Sequence, residues 1–229
     1  MRYKRILAWL IPTILISAAT YLFGYSGIFK VNQVVITGAQ EHADVNAFIN
    51  GAQMNTAIGG ELARVNVRGL ENSLKNVGWI KSAKVSRDWF GGKVKVEIIA
   101  RKALAKVVMA GSAGNTYIDQ SGIIYEDAMG QSGLPEITIS DSKLSGKAAT
   151  FIGALPSELT ANMRDLNLTS QGQFVMNLDN NHQGLLVLWG DGSNLATKVA
   201  LYNRLIALPE NKKISGIDLT NPKFPIVKK

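Results

Sequence analysis

A long apolar run near the start of the chain, from Ile6 to Phe23, is the strongest feature of its hydrophobic pattern. No charged residue lies between Arg5 and Lys30. As a helix the run would extend about 27 Å, and continuing it to Ile28 would let it cross a hydrocarbon core of about 30 Å. The pattern therefore predicts a transmembrane helix over residues 6–28 that holds the chain in a lipid bilayer.

The charges before this run predict its orientation. The segment Met1–Arg5 carries basic residues and no acidic one, so the positive-inside rule makes it a cytoplasmic tail and puts the rest of the chain outside the cell membrane. Two alternatives stay open, a cleaved signal peptide with Ser17-Ala18-Ala19 as its small residues and a buried globular helix. The run is longer than the apolar part of a usual signal peptide, so we favour an uncleaved anchor.

Residues 29–101 show strand and helix periods in an order that predicts one small domain. A β-branched run ends at Gly38, and a strict apolar–polar alternation covers the segment from Lys93 to Ile98. Two segments with helical spacing lie between them, and we expect Asp44 and Asn66 to cap them. Their apolar positions are Val45, Phe48 and Ile49 in the first, and Val67, Leu70, Leu74 and Val77 in the second. The order strand, helix, helix, strand, strand predicts an α+β unit.

Residues 102–229 show mainly strand patterns, which predict a mixed β domain with flanking helices. An amphipathic helix that carries Lys198 and Tyr202 follows the apolar run that ends at Gly190, and Ser193 or Asn194 would cap it. The last predicted strand covers residues 214–219. We expect the two prolines after it, Pro222 and Pro225, to stop further pairing.

Composition and charge exclude several classes of function. The chain has no cysteine, which excludes thiol catalysis and cysteine metal sites and leaves the exported domains without disulfides. The net charge of +8 is spread thinly along the chain. Nucleic-acid binding would require a clustered basic stripe with interleaved aromatic residues, and none is visible.

Residues that could carry catalysis or bind a metal are few and isolated. The two histidines, His42 and His182, have no partner at metal-ligand spacing. Asp119 and Asp127 could pair for acid–base work, but Asp119 starts a turn and we expect Asp127 to be solvated. Arg101 could serve recognition at the domain junction or hold that junction with hydrogen bonds. We therefore predict a binding protein, not an enzyme, with no cofactor, metal or small-molecule substrate.

Several motifs together give the chain a resemblance to a known family. They are Phe29-x-Val31-x-x-Val34-x-Ile36-x-Gly38, Gly60-Glu61-Leu62-x-x-Val65-Asn66, Trp79-Ile80-x-x-Ala83-x-Val85-x-Arg87-x-Trp89, and, near the end, Gly190-Asp191-Gly192 and Ile217-Asp218-Leu219-Thr220-x-Pro222. The first three resemble the POTRA domain, and the last two the β domain, of the bacterial cell-division family FtsQ/DivIB. Two positions depart from that family's pattern. Phe90 stands where it usually has proline, and residues 100–103 keep only the arginine of its Glu-Arg-x-Pro.

The resemblance implies a tail at residues 1–5, an anchor at 6–28, a POTRA domain at 29–101 and a β domain at 102–229. It implies a scaffold at the division septum of the cell membrane. That scaffold would bind FtsB- and FtsL-like coiled-coil proteins outside the membrane and, through them, septal wall synthases. The implied contacts are Tyr202, Ile217, Leu219 and Phe224, although Ile217 and Leu219 could instead point into the core. The alternative function is a POTRA-containing component of polypeptide transport or export.

Overall fold

The computed structural model describes residues 2–24, 29–38, 45, 49, 56–109, 114–180 and 183–229. The chain divides into two compact units, Met1–Arg101 and Lys102–Lys229. Each unit has a sheet of its own, one with three strands and the other with nine among the described residues. The class is therefore α+β, as the sequence predicts.

Helix α1, Arg2–Gly24, covers most of the apolar run and begins inside the predicted tail. The hydroxyls of Thr13 and Thr20 donate hydrogen bonds to carbonyls four residues earlier in the helix. Within the described residues, no helix is both long enough and apolar enough to cross a membrane.

The first unit builds its sheet from strands β1 (Gln33–Thr37), β2 (Ile80–Asp88) and β3 (Lys93–Ala100) in the order β1-β3-β2. β1 runs parallel to β3, and β2 and β3 form an antiparallel hairpin. The predicted alternation is confirmed, since Val94, Val96 and Ile98 are all buried on one face of β3.

Helical segments cover the apolar face of this sheet. Helix α2, Val67–Lys75, begins where predicted, because the Asn66 side chain accepts a hydrogen bond of 2.9 Å from the Gly69 N–H. A 3-10 turn, Leu62–Arg64, precedes it. Val45 and Ile49 of the other predicted helix are helical and buried, whereas Asp44 and Phe48 lie outside the described residues.

The second unit is a mixed sheet with helices. The strand order is β12-β11-β10-β9-β8-β7-β4-β5-β6. The strands are β4 (Ala103–Val108), β5 (Thr116–Asp119), β6 (Ile124–Glu126), β7 (Glu136–Ile139), β8 (Met163–Leu168), β9 (Phe174–Asn180), β10 (Gln183–Gly190), β11 (Gly216–Asp218) and β12 (Ile226–Lys228). The helices are α3 (Ser145–Ala154), α4 (Ser157–Ala161) and α5 (Leu195–Ala207), with 3-10 turns at Ser142–Leu144 and Pro209–Asn211.

The core of the second unit is an apolar cluster that includes a group of aromatic rings. Phe151 of α3 stacks on Phe174 of β9 with ring centroids 3.9 Å apart, and Trp189 of β10 packs against Tyr202 of α5 at 6.0 Å. Stacked and tilted aromatic pairs of this kind add to the energy of area burial. The aromatic group therefore packs helices α3 and α5 against the neighbouring strands β9 and β10.

Candidate partner-binding edge

The end of the nine-stranded sheet is formed by its last two strands in the chain. β11 pairs with β10 in parallel and with β12 in antiparallel orientation, with Ile217 opposite both Val187 and Val227. Among the strands that the structure describes, β12 has a neighbour on one side only. The expectation that Pro222 and Pro225 stop pairing is wrong, because β12 forms directly after Pro225.

The structure separates the four contacts that the resemblance implies. Ile217 and Leu219 are 1% and 0% exposed and belong to the core cluster, together with Tyr202 at 7%. Phe224 is 74% exposed. Three of the four side chains therefore support the edge from inside the unit, and Phe224 is the one that faces solvent.

A short turn carries the chain from β11 to β12 and fixes the position of Phe224. The Asp218 carboxylate accepts a hydrogen bond from the Thr220 N–H at 2.9 Å. Asn221 accepts from the Lys223 N–H through its side chain and from the Phe224 N–H through its carbonyl, both at 3.1 Å. Such local bonds by Asp and Asn define tight turns. Phe224 is thus held on a fixed turn beside the outermost strand.

β12 adds two residues, Ile226 and Val227, to the four that the resemblance implies. Ile226 is 57% exposed, whereas Val227, the next residue, is half-buried against the core cluster. The signal was present as a β-branched pair followed by lysines, but a run of three residues is too short for periodicity to identify. The exposed apolar surface at this edge is therefore formed by Phe224 and Ile226.

A buried lysine, Lys198, binds the backbone of β10, the strand that pairs with β11. Lys198 of α5 is 1% exposed, and its ammonium donates a hydrogen bond of 2.7 Å to the Trp189 carbonyl near the end of β10. Burial lowers the pKa of Lys198, and Asp191, whose carboxylate is 4.0 Å away, acts against that shift. Burial also raises the pKa of Tyr202, one turn further along α5. Helix α5 begins directly after Asn194, where the sequence predicts its start, but the Asn194 side chain makes no capping hydrogen bond.

The carboxylates considered for acid–base chemistry have structural partners. Asp119 is buried and accepts bonds from the N–H groups of Ser121 and Ile123. Asp127 is also buried, so the expectation that it is solvated is wrong, and it accepts from the Met129 N–H at 3.1 Å. Both carboxylates hold turns. Arg101 donates a bond of 3.0 Å to the Gly78 carbonyl within the first unit.

Metal binding finds no geometric support in the part of the chain that the structure describes. No group of three or more His, Asp or Glu side chains there could hold a metal ion. His42 and His182 lie outside the described residues.

Comparison with protein families assigns both units. Residues 29–99 match the model described as POTRA domain, FtsQ-type, and residues 107–220 match the model described as Cell division protein FtsQ/DivIB, C-terminal. The chain belongs to the FtsQ/DivIB family. A search of curated proteins finds none that matches it.

Membership of the FtsQ/DivIB family makes this a cell-division protein with a POTRA domain and a β domain. The family is one of non-enzymatic division scaffolds. The C-terminal match ends at Thr220, so Phe224 and β12 lie beyond it. The outermost strand of this FtsQ/DivIB protein therefore lies outside the matched region.

Proposed function

We propose that this protein is a membrane-anchored scaffold of the cell-division machinery that binds an FtsB- or FtsL-like partner by adding a partner strand to β12. The observation that carries the proposal is the open side of β12 with Phe224 and Ile226 exposed beside it. Through that partner the scaffold would be linked to septal wall synthesis. Its contribution is positioning.

Strand addition suits the chemistry of this edge. An edge strand offers main-chain N–H and C=O groups for pairing, and alternate side chains select the partner. Here the side chains that flank the open backbone are apolar at Phe224 and Ile226 and basic at Lys223, Lys228 and Lys229. The matching partner segment is an extended strand with apolar side chains and acidic neighbours. Ile217, Leu219 and Tyr202 hold the edge in place from the core.

The anchor is supported by sequence and helix length together. Helix α1 has 23 residues and encloses the charge-free run Ile6–Phe23. Its charge-free part, residues 6–24, extends about 29 Å, which is close to a hydrocarbon core of about 30 Å. The basic residues at the start of the chain would keep Met1 in the cytoplasm. We therefore propose a single-pass protein whose two folded units are extracytoplasmic and enriched at the septum.

The test is a binding measurement with the full-length chain in lipid nanodiscs and a purified FtsB- and FtsL-like pair from the same cell. Ile226→Lys places a lysine on the outermost strand β12. Natural edge strands use lysine to block pairing with other strands. We expect at least a tenfold loss of affinity, or about 1.4 kcal/mol. The matched control is Ile123→Lys, because Ile123 is 44% exposed and precedes β6, the strand at the opposite end of the same sheet.

Unchanged affinity in Ile226→Lys, with cooperative melting retained, would show that the partner binds elsewhere. Equal losses in the two variants would indicate a general effect of added charge and would also contradict the proposal. Phe224→Ala provides the finer measure. Removing an aromatic contact at the border of the interface should weaken binding about fivefold, or about 1 kcal/mol.

A further inference from the structure

Two exposed apolar side chains lie at the end of the first unit where the chain enters its sheet. Phe90, in the hairpin turn between β2 and β3, is 100% exposed, and Ile58, in the turn before the 3-10 segment, is 77% exposed. Single exposed apolar residues are common on protein surfaces. Here two of them lie at the same end of a small sheet. That end is next to the segment that follows helix α1.

Backbone hydrogen bonds tie both turns to the entering segment. Val31 accepts a bond from the Gly59 N–H at 2.7 Å and donates one to the Gly60 carbonyl at 2.8 Å. On the other side, the Asn32 N–H donates to the Gly92 carbonyl at 2.7 Å. Neighbouring strands lie about 4.8 Å apart, so the two turns flank residues 31–32 at a separation of about 10 Å.

Gly92 makes the close approach on the hairpin side possible. Its φ is +61°, and a Cβ at this position would lie 2.8 Å from the Lys30 carbonyl oxygen. A side chain there would therefore clash with backbone that cannot easily move. The hairpin turn is fixed against the entering segment, and Phe90 is fixed with it.

The two aromatic residues of the hairpin turn have different surroundings. Trp89 is half-buried, with its ring edge-to-face against Phe29 at 5.7 Å and the Arg87 guanidinium 5.8 Å from its ring centre. Phe90, the next residue, extends into solvent. Packing of Trp89 thus holds Phe90 outward, on the side of the unit where the chain arrives.

This end of the unit is close to helix α1. Between Gly24, the last residue of that helix, and Phe29 the chain can extend at most about 18 Å. The helix also contacts the 3-10 segment Leu62–Arg64, which directly follows the turn of Ile58. If the helix is anchored in a bilayer, both turns lie near the bilayer surface.

We infer that Phe90 and Ile58 form a membrane-docking surface that inserts into the interfacial zone of an anionic bilayer, an inference that rests on the anchor proposed above. Aromatic and aliphatic side chains are favourable at that depth. Lys30 is exposed beside the two turns and Lys93 follows the hairpin turn, so the surface has basic groups that suit anionic headgroups. Docking would fix the first unit against the membrane rather than leave it tethered by a free linker.

The absence of cysteine gives a direct test, since a single introduced cysteine can be labelled with an environment-sensitive fluorophore. Phe90→Cys is compared with Ile99→Cys, the matched control near the far end of β3. Ile99 is 60% exposed and lies about 20 Å from Lys93 along β3. A third variant, Ile16→Cys in α1, reports the anchor independently. Each full-length protein is placed in vesicles of phosphatidylethanolamine with phosphatidylglycerol, and quenching by headgroup or acyl-chain nitroxide lipids is measured.

We expect headgroup nitroxides to quench the probe at position 90 at least about twice as strongly as the probe at 99. Adding Lys30→Gln and Lys93→Gln to Phe90→Cys should lower that quenching. Equal, weak quenching at 90 and 99, with strong acyl-chain quenching at 16, would overturn the docking surface and leave the anchor intact. No quenching at 16 would overturn the anchor and docking with it. Partner binding at β12 is measured separately and is unaffected by either result.

Discussion

Edge strands of the two sheets differ in length and in the side chains that contact their outer backbone. In the first unit β2 is an edge strand of nine residues, and the Glu71 side chain of α2 accepts a hydrogen bond from the Val85 N–H at 2.8 Å. In the second unit one edge strand is β12, which is three residues long, begins with the exposed Ile226 and follows the exposed Phe224. Free edges promote unwanted pairing, and proteins usually cover or charge them. A side chain thus bonds one N–H group of the long edge strand β2, whereas β12 is the edge strand to which we propose that a partner binds.

The largest expected change in the free energy of unfolding distinguishes the buried residues that support β12 from the exposed residues beside it. Leu219→Asp places a carboxylate at a position that is 0% exposed, so we expect a loss of about 4 kcal/mol or more in the free energy of unfolding. Phe224→Asp is the control, with a change of about 0.5 kcal/mol or less because its side chain is solvated. Urea unfolding followed by circular dichroism measures both. Similar losses in the two variants would contradict the division between core and surface.

The next effect concerns the lysine behind this edge. Lys198→Met leaves the Trp189 carbonyl without its donor, and we expect a loss of about 2 kcal/mol at neutral pH. Lys147→Met is the control, because Lys147 makes a similar bond of 2.8 Å to the Gly172 carbonyl but is only half-buried, so water can replace it. A smaller loss in Lys198→Met than in Lys147→Met would show that the buried ammonium does not hold the end of β10.

The same lysine predicts a pH dependence. Burial lowers its pKa below the ordinary 10.5, so the unfolded chain binds this proton more tightly than the folded chain does. The cost of the buried charge is present below the folded pKa and is relieved as pH rises from that value towards 10.5. Wild type should therefore gain stability relative to Lys198→Met across this window in urea unfolding. A difference that stays constant with pH would contradict the lowered pKa.

A smaller change should convert the protected edge into an open one. Glu71→Ala removes the acceptor of the Val85 N–H, and we expect about 1 kcal/mol of destabilisation and new self-association that depends on concentration. Analytical ultracentrifugation measures the association. Glu97→Ala is the control, since Glu97 is exposed on β3, the central strand of the same sheet. A strictly monomeric Glu71→Ala protein would mean that something other than this carboxylate protects β2.

The smallest effect is local to the end of β2. A hydrogen bond from the Gly91 N–H, followed by the Lys95 ammonium 3.0 Å away, lowers the pKa of Asp88 below 3.8. Its contribution to the hairpin turn is therefore complete above 3.8 and is lost as pH falls through the lowered value. The Gly91 amide resonance should titrate with a midpoint below 3.8 in NMR spectra, and Asp88→Asn should abolish that titration. A midpoint above 3.8 would contradict the assignment.

Much of the fold could be predicted because its signals are local. The alternation in β3 identifies which side chains are buried, since successive residues of a strand face opposite sides. Asn66 identifies the start of α2, because an N-cap needs only the next few residues. The order of elements in the first unit and the motifs that resemble FtsQ/DivIB depend on sequence alone in the same way.

The candidate site could be predicted only in part. The sequence drew attention to the right end of the chain, but it chose Ile217 and Leu219, whose alternation looks the same whether the strand is an edge or has neighbours on both sides. It missed Ile226 because β12 is short. It also gave no sign that Lys198 would be buried, because a lysine on an amphipathic helix is usually solvated.

Sequence alone was therefore enough for the apolar run at the start, the order of elements in the first unit, the inward faces of its strands and the family. The folded chain reveals which strand is outermost, which carbonyl Lys198 binds and which carboxylate accepts a hydrogen bond from β2. The two kinds of feature differ in how far apart along the chain the responsible residues lie. Periodicity and capping depend on a few neighbouring residues, whereas strand order depends on pairing between segments far apart in the chain, such as β10 with β11.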